Sequence, residues 1–379
     1  MAIRNVRKTK IPAEGKKSSR LTKAVLLLLL GVLLVEVFVT WDATSKIGEK
    51  ARPANLEIIQ ISDNTCVQCA SVNLLSAPIS GSNSTKILST STIDFASAEA
   101  KSLIAKYGVQ KIPAVVVTGE FKKDNVVFLW GDLGGKMLTD AVIIETSAPF
   151  VNATNGHREG LVSLVSIVDS SCANCTSMDD FVSSLKQTGV NFVSEKTIEY
   201  TSSEAQAWIT SQDIQRIPAI VFSKDIETYD TIKQFLVQTN ATERQGFYAY
   251  HSTSPPYLDL GSGKVVGLVS VIYITDASCT TCYDVYGHRA ILQRFGITVV
   301  NETTYDIANT MGNQLITQYN ITKVPTILIS PDGAYYANLK QVWPPVGTIA
   351  SDGWFVFIGT EAMGTYKDLA SGQIVASTG

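Results

Sequence analysis

The six cysteines are the residues of this chain with the clearest chemical potential, and all of them fall in Cys-x-x-Cys pairs. The pairs are Cys66/Cys69, Cys172/Cys175 and Cys279/Cys282. Two thiols at this spacing can form a disulfide that exchanges with other thiols, form a permanent disulfide, or bind a metal together with a second ligand pair. Metal binding is disfavoured, because no second Cys or His pair is close in sequence.

Each pair is followed by a segment with helical periodicity, so we expect the first cysteine to lie at the start of a helix. There, unpaired backbone N–H groups and the positive end of the helix dipole favour the thiolate. Such a thiolate attacks a partner disulfide, and the second cysteine then resolves the mixed disulfide. The nucleophiles predicted in this way are Cys66, Cys172 and Cys279, and the resolving residues are Cys69, Cys175 and Cys282.

The alternative is a non-catalytic surface scaffold or adhesion protein in which all three pairs are permanent disulfides. A disulfide across two intervening residues closes a very small loop and adds little stability on the loop-entropy model, which favours redox use. The residues themselves do not distinguish oxidation, reduction and isomerisation.

An acid stands three residues before the first cysteine of every pair, at Asp63, Asp169 and Asp276, and a hydroxyl residue stands just before that cysteine. We favour a local turn or cap, because Asp side chains commonly bond to the backbone two residues on. The alternative is that the acid tunes proton transfer. A carboxylate close to a thiol would also raise the thiol pKa.

The pairs mark an internal repeat, since their first cysteines are 106 and 107 residues apart. Each copy predicts a strand, the pair, a helix, a second strand, a second helix and then a proline that enters another strand. These prolines are Pro113, Pro218 and Pro325. A proline in that place marks a sheet edge, a turn or a cis bond. The segments FKKDN and SPDG further on predict hairpin turns that lead into another strand.

A similar segment closes each copy: FVNATNGHREG, YLDLGSGKVVG and YKDLASGQIVASTG. The third one ends the chain, so this segment completes the preceding unit. The predicted domains therefore cover residues 53–159, 160–266 and 267–379, with almost no linker between them. We expect a fairly stiff array.

This order of elements, with three Cys-x-x-Cys pairs and a proline at a constant distance, resembles the thioredoxin-like superfamily. The resemblance implies an α/β fold of three tandem domains, each with a central mixed sheet flanked by helices. It also implies that the three prolines are cis and pack beside the cysteines. The layout is similar to protein disulfide isomerases. The chain differs from well-known members in having Gln60, Ser166 and Tyr273 at the place of their buried acid.

The N-terminal part predicts a membrane anchor. Residues 1–20 form a basic tail, residues 21–41 are apolar over about the length of a bilayer-spanning helix, and residues 42–52 are a linker. Basic residues stay on the cytoplasmic side, so the tail is predicted inside and the rest outside, in a single-pass protein. A cleaved signal peptide is the alternative.

Partners follow from this topology and from the resemblance. The predicted substrates are thiols and disulfides of secreted proteins, and electrons would pass to a membrane quinone-linked thiol oxidase or reductase. No diffusible cofactor is predicted, because no Gly-rich phosphate loop follows a strand. A charged fraction of 17% argues against a highly charged nucleic-acid binder. The three histidines, His157, His251 and His288, do not repeat and are interpreted as surface or structural residues.

Six N-x-S/T sequons predict possible glycosylation at Asn83, Asn152, Asn174, Asn240, Asn301 and Asn320. Asn174 lies between the cysteines of the second pair. A glycan there would block that site, so either Asn174 is unmodified or the second pair is not catalytic.

Overall fold

A computed structural model describes residues 27–41, 52–239 and 241–376. The predicted basic tail, residues 42–51 of the linker and residues 21–26 of the anchor lie outside these ranges. Residues 27–41 form helix α1, whose apolar side chains are exposed. Within the described ranges, no helix combines the length and the apolar character that crossing a membrane requires.

The first module begins with a strand, a helix and a second strand, and two further helices and six further strands follow. Its elements are β1 (Ala54–Ser62), α2 (Val72–Ser80), β2 (Thr85–Asp94), α3 (Ala98–Tyr107), β3 (Lys111–Ile112), β4 (Ala114–Gly119), α4 (Val127–Asp132), β5 (Lys136–Met137), β6 (Val142–Glu145), β7 (Phe150–Asn152) and β8 (Arg158–Glu159). Its main sheet has the order β2-β1-β4-β6-β5.

The second module repeats this order. Its elements are β9 (Leu161–Val168), α5 (Asp179–Gln187), β10 (Asn191–Glu199), α6 (Ser203–Gln212), β11 (Arg216–Ile217), β12 (Ala219–Ser223), a 3₁₀ helix (Lys224–Thr228), α7 (Asp230–Gln238), β13 (Phe247–His251), β14 (Tyr257–Asp259) and β15 (Lys264–Val266). Its main sheet has the order β10-β9-β12-β13.

The third module has the same frame and more 3₁₀ turns. Its elements are β16 (Val269–Thr275), a 3₁₀ helix (Val285–Gly287), α8 (His288–Arg294), β17 (Val299–Asp306), α9 (Thr310–Gln318), β18 (Lys323–Val324), β19 (Thr326–Ile329), a 3₁₀ helix (Pro331–Tyr335), α10 (Ala337–Val342), β20 (Gly347–Ile349), β21 (Phe355–Phe357), a 3₁₀ helix (Thr360–Ala362), β22 (Tyr366–Asp368) and β23 (Ile374–Val375). Its main sheet has the order β17-β16-β19-β21-β20.

All three main sheets are mixed. The first strand of each module runs parallel to the second strand and antiparallel to the strand that follows the proline. A parallel pair needs a crossover connection, which the helical segment after the cysteines supplies. The central strands read as nearly continuous apolar runs because both faces are covered; Ala114 to Val117 of β4 are fully buried. The predicted mixed α/β architecture with helices on the sheets is confirmed.

The hairpin turns predicted at FKKDN and SPDG are wrong. Each segment leads into helix, and in the third module a 3₁₀ helix with Pro331 at its first position is followed by α10. The reason is burial: Tyr336, Leu339 and Trp343 of this insert pack in the core beside Phe355. A tight hairpin would leave these large side chains in water.

A closing hairpin follows each main sheet. In the second module β14 pairs with β15 and with β11, where Ile217 lies opposite Leu258. In the third module β22 pairs with β23 and with β18, where Val324 lies opposite Lys367. The hairpin thus pairs with the short strand that precedes the proline of the same module.

A repeated pair of side chains fixes the first residue of the second and third modules. Tyr336 donates a hydrogen bond to the carbonyl of Gly267 (2.7 Å), and Asp332 accepts one from its N–H (2.8 Å). Gly267 has φ 85°, and a Cβ there would lie 2.3 Å from Cβ of Pro255, so a side chain cannot be accommodated. Tyr229 and Asp225 hold Gly160 in the same way.

The chain divides into two compact units. The first contains most of the first module, and the second contains the second and third modules. Each module has its own buried apolar clusters on the faces of its sheet.

Candidate functional site

Each Cys-x-x-Cys pair is a disulfide. The S–S distances are 2.03 Å for Cys66–Cys69, 2.10 Å for Cys172–Cys175 and 2.01 Å for Cys279–Cys282, and no cysteine of the described chain is free. The three pairs therefore repeat the same covalent arrangement in three modules.

The cysteines lie in turns and not at helix starts. The N–H of each second cysteine donates to the carbonyl of the first, at 3.3, 3.2 and 3.4 Å in chain order. The following α-helix begins only at Val72 in the first module and at Asp179 in the second, and a 3₁₀ helix begins at Val285 in the third. The expectation that each first cysteine lies in the first turn of a helix is wrong. The helix-terminus argument for a stabilised thiolate consequently does not apply to these cysteines.

The acid before each pair forms an Asx turn. Oδ1 of Asp63 accepts the N–H (2.8 Å) and the hydroxyl (2.6 Å) of Thr65. Asp169 binds Ser171 in the same way, at 3.0 and 2.6 Å, and Asp276 binds Ser278 at 2.8 and 2.6 Å. The local-turn interpretation therefore describes all three acids, and this turn places the first cysteine.

The three strand-entering prolines are cis, as the resemblance predicts. In the second module a cleft of about 370 Å³ is lined by Cys172, Cys175, Asp169 and Pro218, among others. In the third module Sγ of Cys282 lies 4.0 Å from the carbonyl oxygen of the residue before the proline. These contacts place cysteines and cis proline side by side in both modules. The bonds Ala148–Pro149 and Pro255–Pro256 are cis as well, which the sequence did not indicate.

In the second and third modules the residue after the second cysteine joins the turn to the closing segment. Thr176 donates its N–H to the carbonyl of Pro256 (2.9 Å) and its hydroxyl to that of Ser254 (3.2 Å). Tyr283 donates its N–H to the carbonyl of Thr365 (2.8 Å). Sequence analysis did not predict these contacts, because a backbone N–H carries no signature in the sequence.

The first cysteine is not equally accessible in the three modules. Cys66 is 7% exposed and Cys279 is 8% exposed, whereas Cys172 is partly exposed. Since thiol exchange requires direct attack on sulfur, the second module offers the more open first cysteine.

In the first module a neutral polar network surrounds Gln60. Gln60 is buried, and its Nε2 donates to Ser76 Oγ (2.6 Å) and to Asn73 Oδ1 (3.2 Å). Its Oε1 accepts the hydroxyl of Thr92 (2.7 Å). The Gln60 amide does not ionise near neutral pH, so Gln60 has a structural role and cannot act as an acid or a base.

In the third module Tyr273 occupies this position. Its buried hydroxyl donates to Glu302 (3.1 Å), which also forms an ion pair with Arg289. Burial and then the Glu302 carboxylate raise the pKa of Tyr273 to about 12. The group therefore stays protonated at neutral pH.

A Tyr–His pair lies beside the third disulfide. The hydroxyl of Tyr283 donates to the carbonyl of Pro325 (2.9 Å) and lies 3.2 Å from Nε2 of His288. His288 is 3% exposed, and burial lowers its pKa to about 4. It is thus a buried, neutral, hydrogen-bonded residue. Burial and then the nearby Arg216 lower the pKa of His251, while His157 is exposed.

An ion pair is a further difference in the third module. Lys367 of the closing hairpin binds the Asp276 carboxylate and lies 3.3 Å from the hydroxyl of Ser278. Burial by itself would raise the pKa of Asp276, but the hydrogen bonds from Lys367 and Ser278 outweigh it and leave that pKa below its ordinary value.

Four of the sequon asparagines are exposed: Asn83, Asn174, Asn301 and Asn320. Asn152 is partly buried and donates to Glu159 (2.8 Å), and Asn240 lies outside the described residues. Asn174 is therefore open to solvent, although Thr176 of the same sequon is held by the closing segment. Among the described side chains, no three His, Cys, Asp or Glu residues group as metal ligands would.

No protein-family model and no curated protein sequence matches this chain. Among solved structures, it is similar to the N-terminal domain of alkyl hydroperoxide reductase AhpF from Enterococcus faecalis, with 16% identity over 45% of this chain and 82% of that one, at a TM-score of 0.15. A protein disulfide oxidoreductase from Aeropyrum pernix has 13% identity over 45% and 76%, at 0.14. Human ERp44 has 10% identity over 76% and 81%, at 0.13.

Such low TM-scores carry no argument about activity. The chain itself shows, in each module, a parallel pair of strands with antiparallel strands beside it, a disulfide turn after the first strand and a cis proline before the third strand of the main sheet. The repeated module is therefore a mixed α/β unit with helices on its sheet.

Proposed function

We propose that this chain is a thiol–disulfide oxidoreductase or isomerase that acts on thiols and disulfides of secreted proteins. The observation that carries the proposal is the cleft of the second module, in which both sulfurs of one pair and the cis Pro218 line one opening. A partly exposed Cys172 gives an incoming sulfur access to this bond.

The exchange begins when a substrate thiolate attacks Sγ of Cys172. The Cys172–Cys175 bond breaks, a mixed disulfide forms, and Cys175 leaves as a thiolate that takes up a proton. A second substrate thiolate then attacks the substrate sulfur of the mixed disulfide and releases Cys172. The substrate loses two electrons and two protons, and the pair gains them. The reverse sequence reduces a substrate disulfide, with Cys172 as nucleophile and Cys175 as resolving residue.

The corresponding roles at Cys66, Cys69, Cys279 and Cys282 are part of the proposal. The buried Cys66 and Cys279 require the turn to open before an external sulfur reaches them. We therefore expect the three sites to exchange at different rates, with the second module fastest.

The proposal includes a single-pass anchor in residues 21–41, with the modules outside the cytoplasm. Its support is the basic tail next to an apolar segment. Electrons would pass between the modules and a membrane quinone-linked thiol oxidase or reductase. Recovery of the native protein in the membrane fraction after carbonate extraction supports the anchor, and release into the supernatant rejects it.

The second candidate is a surface scaffold with structural disulfides. Burial of the first cysteine favours this candidate in the first and third modules. In all three modules the cysteines precede the helix start, so no helix terminus stabilises a thiolate there.

A redox titration separates the two functions. The full chain is equilibrated with thiol buffers of graded potential, and each pair is assayed by differential alkylation and peptide mass spectrometry. An exchanging pair titrates between roughly −300 and −120 mV, whereas structural disulfides have potentials below about −300 mV. If all three pairs fall below that limit, the oxidoreductase function is rejected.

A further inference from the structure

Lys367 is a charged residue that reaches a cysteine turn from a distant part of the chain. Its ammonium group binds the Asp276 carboxylate and lies 3.3 Å from the hydroxyl of Ser278. The Asp276 side chain is 5% exposed and that of Lys367 is 22% exposed. Asp276 also accepts the N–H of Cys279 at its backbone carbonyl (3.0 Å). The cation is thus linked through one residue to the backbone of the first cysteine.

Strand register identifies the equivalent position in the second module. Lys367 lies opposite Val324, the residue before the cis proline. Leu258 lies opposite Ile217, which also precedes a cis proline. Leu258 is buried and cannot neutralise Asp169. Across the part of the chain that the structure describes, neither Asp169 nor Asp63 has a salt bridge.

Other charged groups near the third turn are already occupied. Asp306 accepts the N–H of Ala277 (2.6 Å), and Lys323 forms an ion pair with Glu361 (2.5 Å). Tyr283 and His288 are neutral, because burial raises the pKa of the first and lowers that of the second. The Asp306 carboxylate has a counterpart in Glu199 of the second module, which accepts the N–H of Ser170 (3.1 Å), so the Lys367 ammonium is the charge that distinguishes the two turns.

We propose that Lys367 is a positioning residue that neutralises Asp276 and thereby makes the Cys279–Cys282 disulfide more readily reduced than it would be beside an unpaired carboxylate. This inference rests on the proposed function, because it concerns the reduction potential of one of the exchanging pairs. The carboxylate of Asp169, without a cation, disfavours a thiolate in the second module.

The redox step is the reduction of one disulfide by two electrons from two molecules of added glutathione. The Cys279–Cys282 bond breaks, one sulfur becomes a thiolate and the other a thiol, the two glutathione molecules become one disulfide, and one proton is released to solvent. Any charge that stabilises the thiolate favours the reduced protein. An ion pair of zero net charge permits a thiolate that a lone carboxylate would repel.

The test is a double-mutant cycle of charge-removing substitutions in the full chain. The variants are Lys367→Met, Asp276→Asn and the double variant, with Leu258→Lys as the matched change in the second module. Equilibrium with glutathione is measured for each pair by peptide mass spectrometry. Lys367→Met should make the third pair about tenfold harder to reduce, which corresponds to about 30 mV for a two-electron couple. Asp276→Asn should shift it in the opposite direction, the double variant should return it close to the starting value, and Leu258→Lys should make the second pair easier to reduce.

A second measurement does not depend on exchange activity. The chain is reduced with a phosphine, and the alkylation rate of Cys279 and Cys282 is followed against pH. Lys367→Met should raise the pKa of the more acidic thiol, and Asp276→Asn should lower it. Shifts in the same direction for both variants would show a merely structural effect and overturn the role of Lys367. If no pair equilibrates with glutathione while the thiol pKa values move as expected, the proposed function fails and the electrostatic role stands.

Discussion

The disulfide turns of the second and third modules have the same backbone hydrogen bonds and different surroundings. In the second module Cys172 is partly exposed, Asp169 has no salt bridge among the described residues, and a cleft opens at the pair. In the third module Cys279 is buried and Asp276 is paired with Lys367. One backbone frame therefore supports an open site whose Asp has no salt bridge among the described residues and an enclosed site whose Asp forms an ion pair.

This difference shows that the repeat conserves the position of the sulfurs and not their accessibility or charge. The Asx turn and the turn between the cysteines involve only residues within four positions of one another. The surroundings come from the closing hairpin, about 90 residues further along the chain, where each module has different side chains. Local sequence sets where the disulfide is, and long-range packing determines how it behaves.

The largest expected effect concerns trapping of partners. Replacing the resolving cysteine leaves a mixed disulfide that cannot be released. Cys175→Ala should accumulate such adducts several times faster than Cys282→Ala, because Cys172 is more exposed than Cys279. Non-reducing electrophoresis with a disulfide-containing model substrate measures the adducts, because the remaining thiolate attacks the substrate disulfide and displaces one of its sulfurs as a thiolate. Equal trapping by the two variants would remove the distinction between an open and an enclosed site.

The junction between these modules offers the next largest effect. Gly267→Ala should destabilise the chain by about 3 kcal/mol, because it combines left-handed backbone strain with overpacking against Pro255. Gly263→Ala is the matched control: φ is 66° there, and nothing lies within 4 Å of the added Cβ. It should cost only about 1 kcal/mol. Chemical denaturation measures both, and equal losses would contradict a close-packed junction.

The ion pair of the third turn should make a pH-dependent contribution to stability. The pKa of Asp276 is lowered in the folded chain, so its contribution is fully present above its ordinary value of 3.8 and is lost as pH falls through the lower folded value. Asp276→Asn should remove about 2 kcal/mol at neutral pH and flatten this part of the acid-unfolding profile. Asp169→Asn removes a carboxylate that has no salt bridge among the described residues, so it should cost less stability at neutral pH than Asp276→Asn. Calorimetry at about pH 7 compares the two variants, and the pH series down to about pH 2 follows Asp276→Asn. A larger loss for Asp169→Asn than for Asp276→Asn would reverse the comparison.

The smallest effect is expected from the hydroxyl of Tyr283. Tyr283→Phe removes its hydrogen bond to the carbonyl of Pro325 and should cost about 1 kcal/mol. Thr176→Val is the equivalent change beside the second pair, where the lost bond to Ser254 is longer, at 3.2 Å. It should cost less than Tyr283→Phe. Urea unfolding of the two variants gives the difference, and a larger loss for Thr176→Val would contradict the tighter packing of the third site.

Much of the module was predictable from the sequence. The spacing of the cysteine pairs and of Pro113, Pro218 and Pro325 identified three copies, and the apolar runs indicated the central strands. The two failures have different causes. The turns at FKKDN and SPDG became helical inserts because distant core residues such as Phe355 accept their apolar side chains. The helices after the cysteines begin later than their periodicity indicates, because the N–H of each second cysteine bonds to the carbonyl of the first in a local turn.

The sequence by itself determined that six cysteines form three equivalent pairs, each placed by an Asx turn, because these features depend on residues a few positions apart. Only the tertiary structure decided which first cysteine is exposed to solvent and which Asp forms an ion pair with a Lys. Asp276 and Lys367 are 91 residues apart, and no local pattern relates them. Their meeting follows from the register of β22 on β18, which brings the closing hairpin of the third module to its own disulfide.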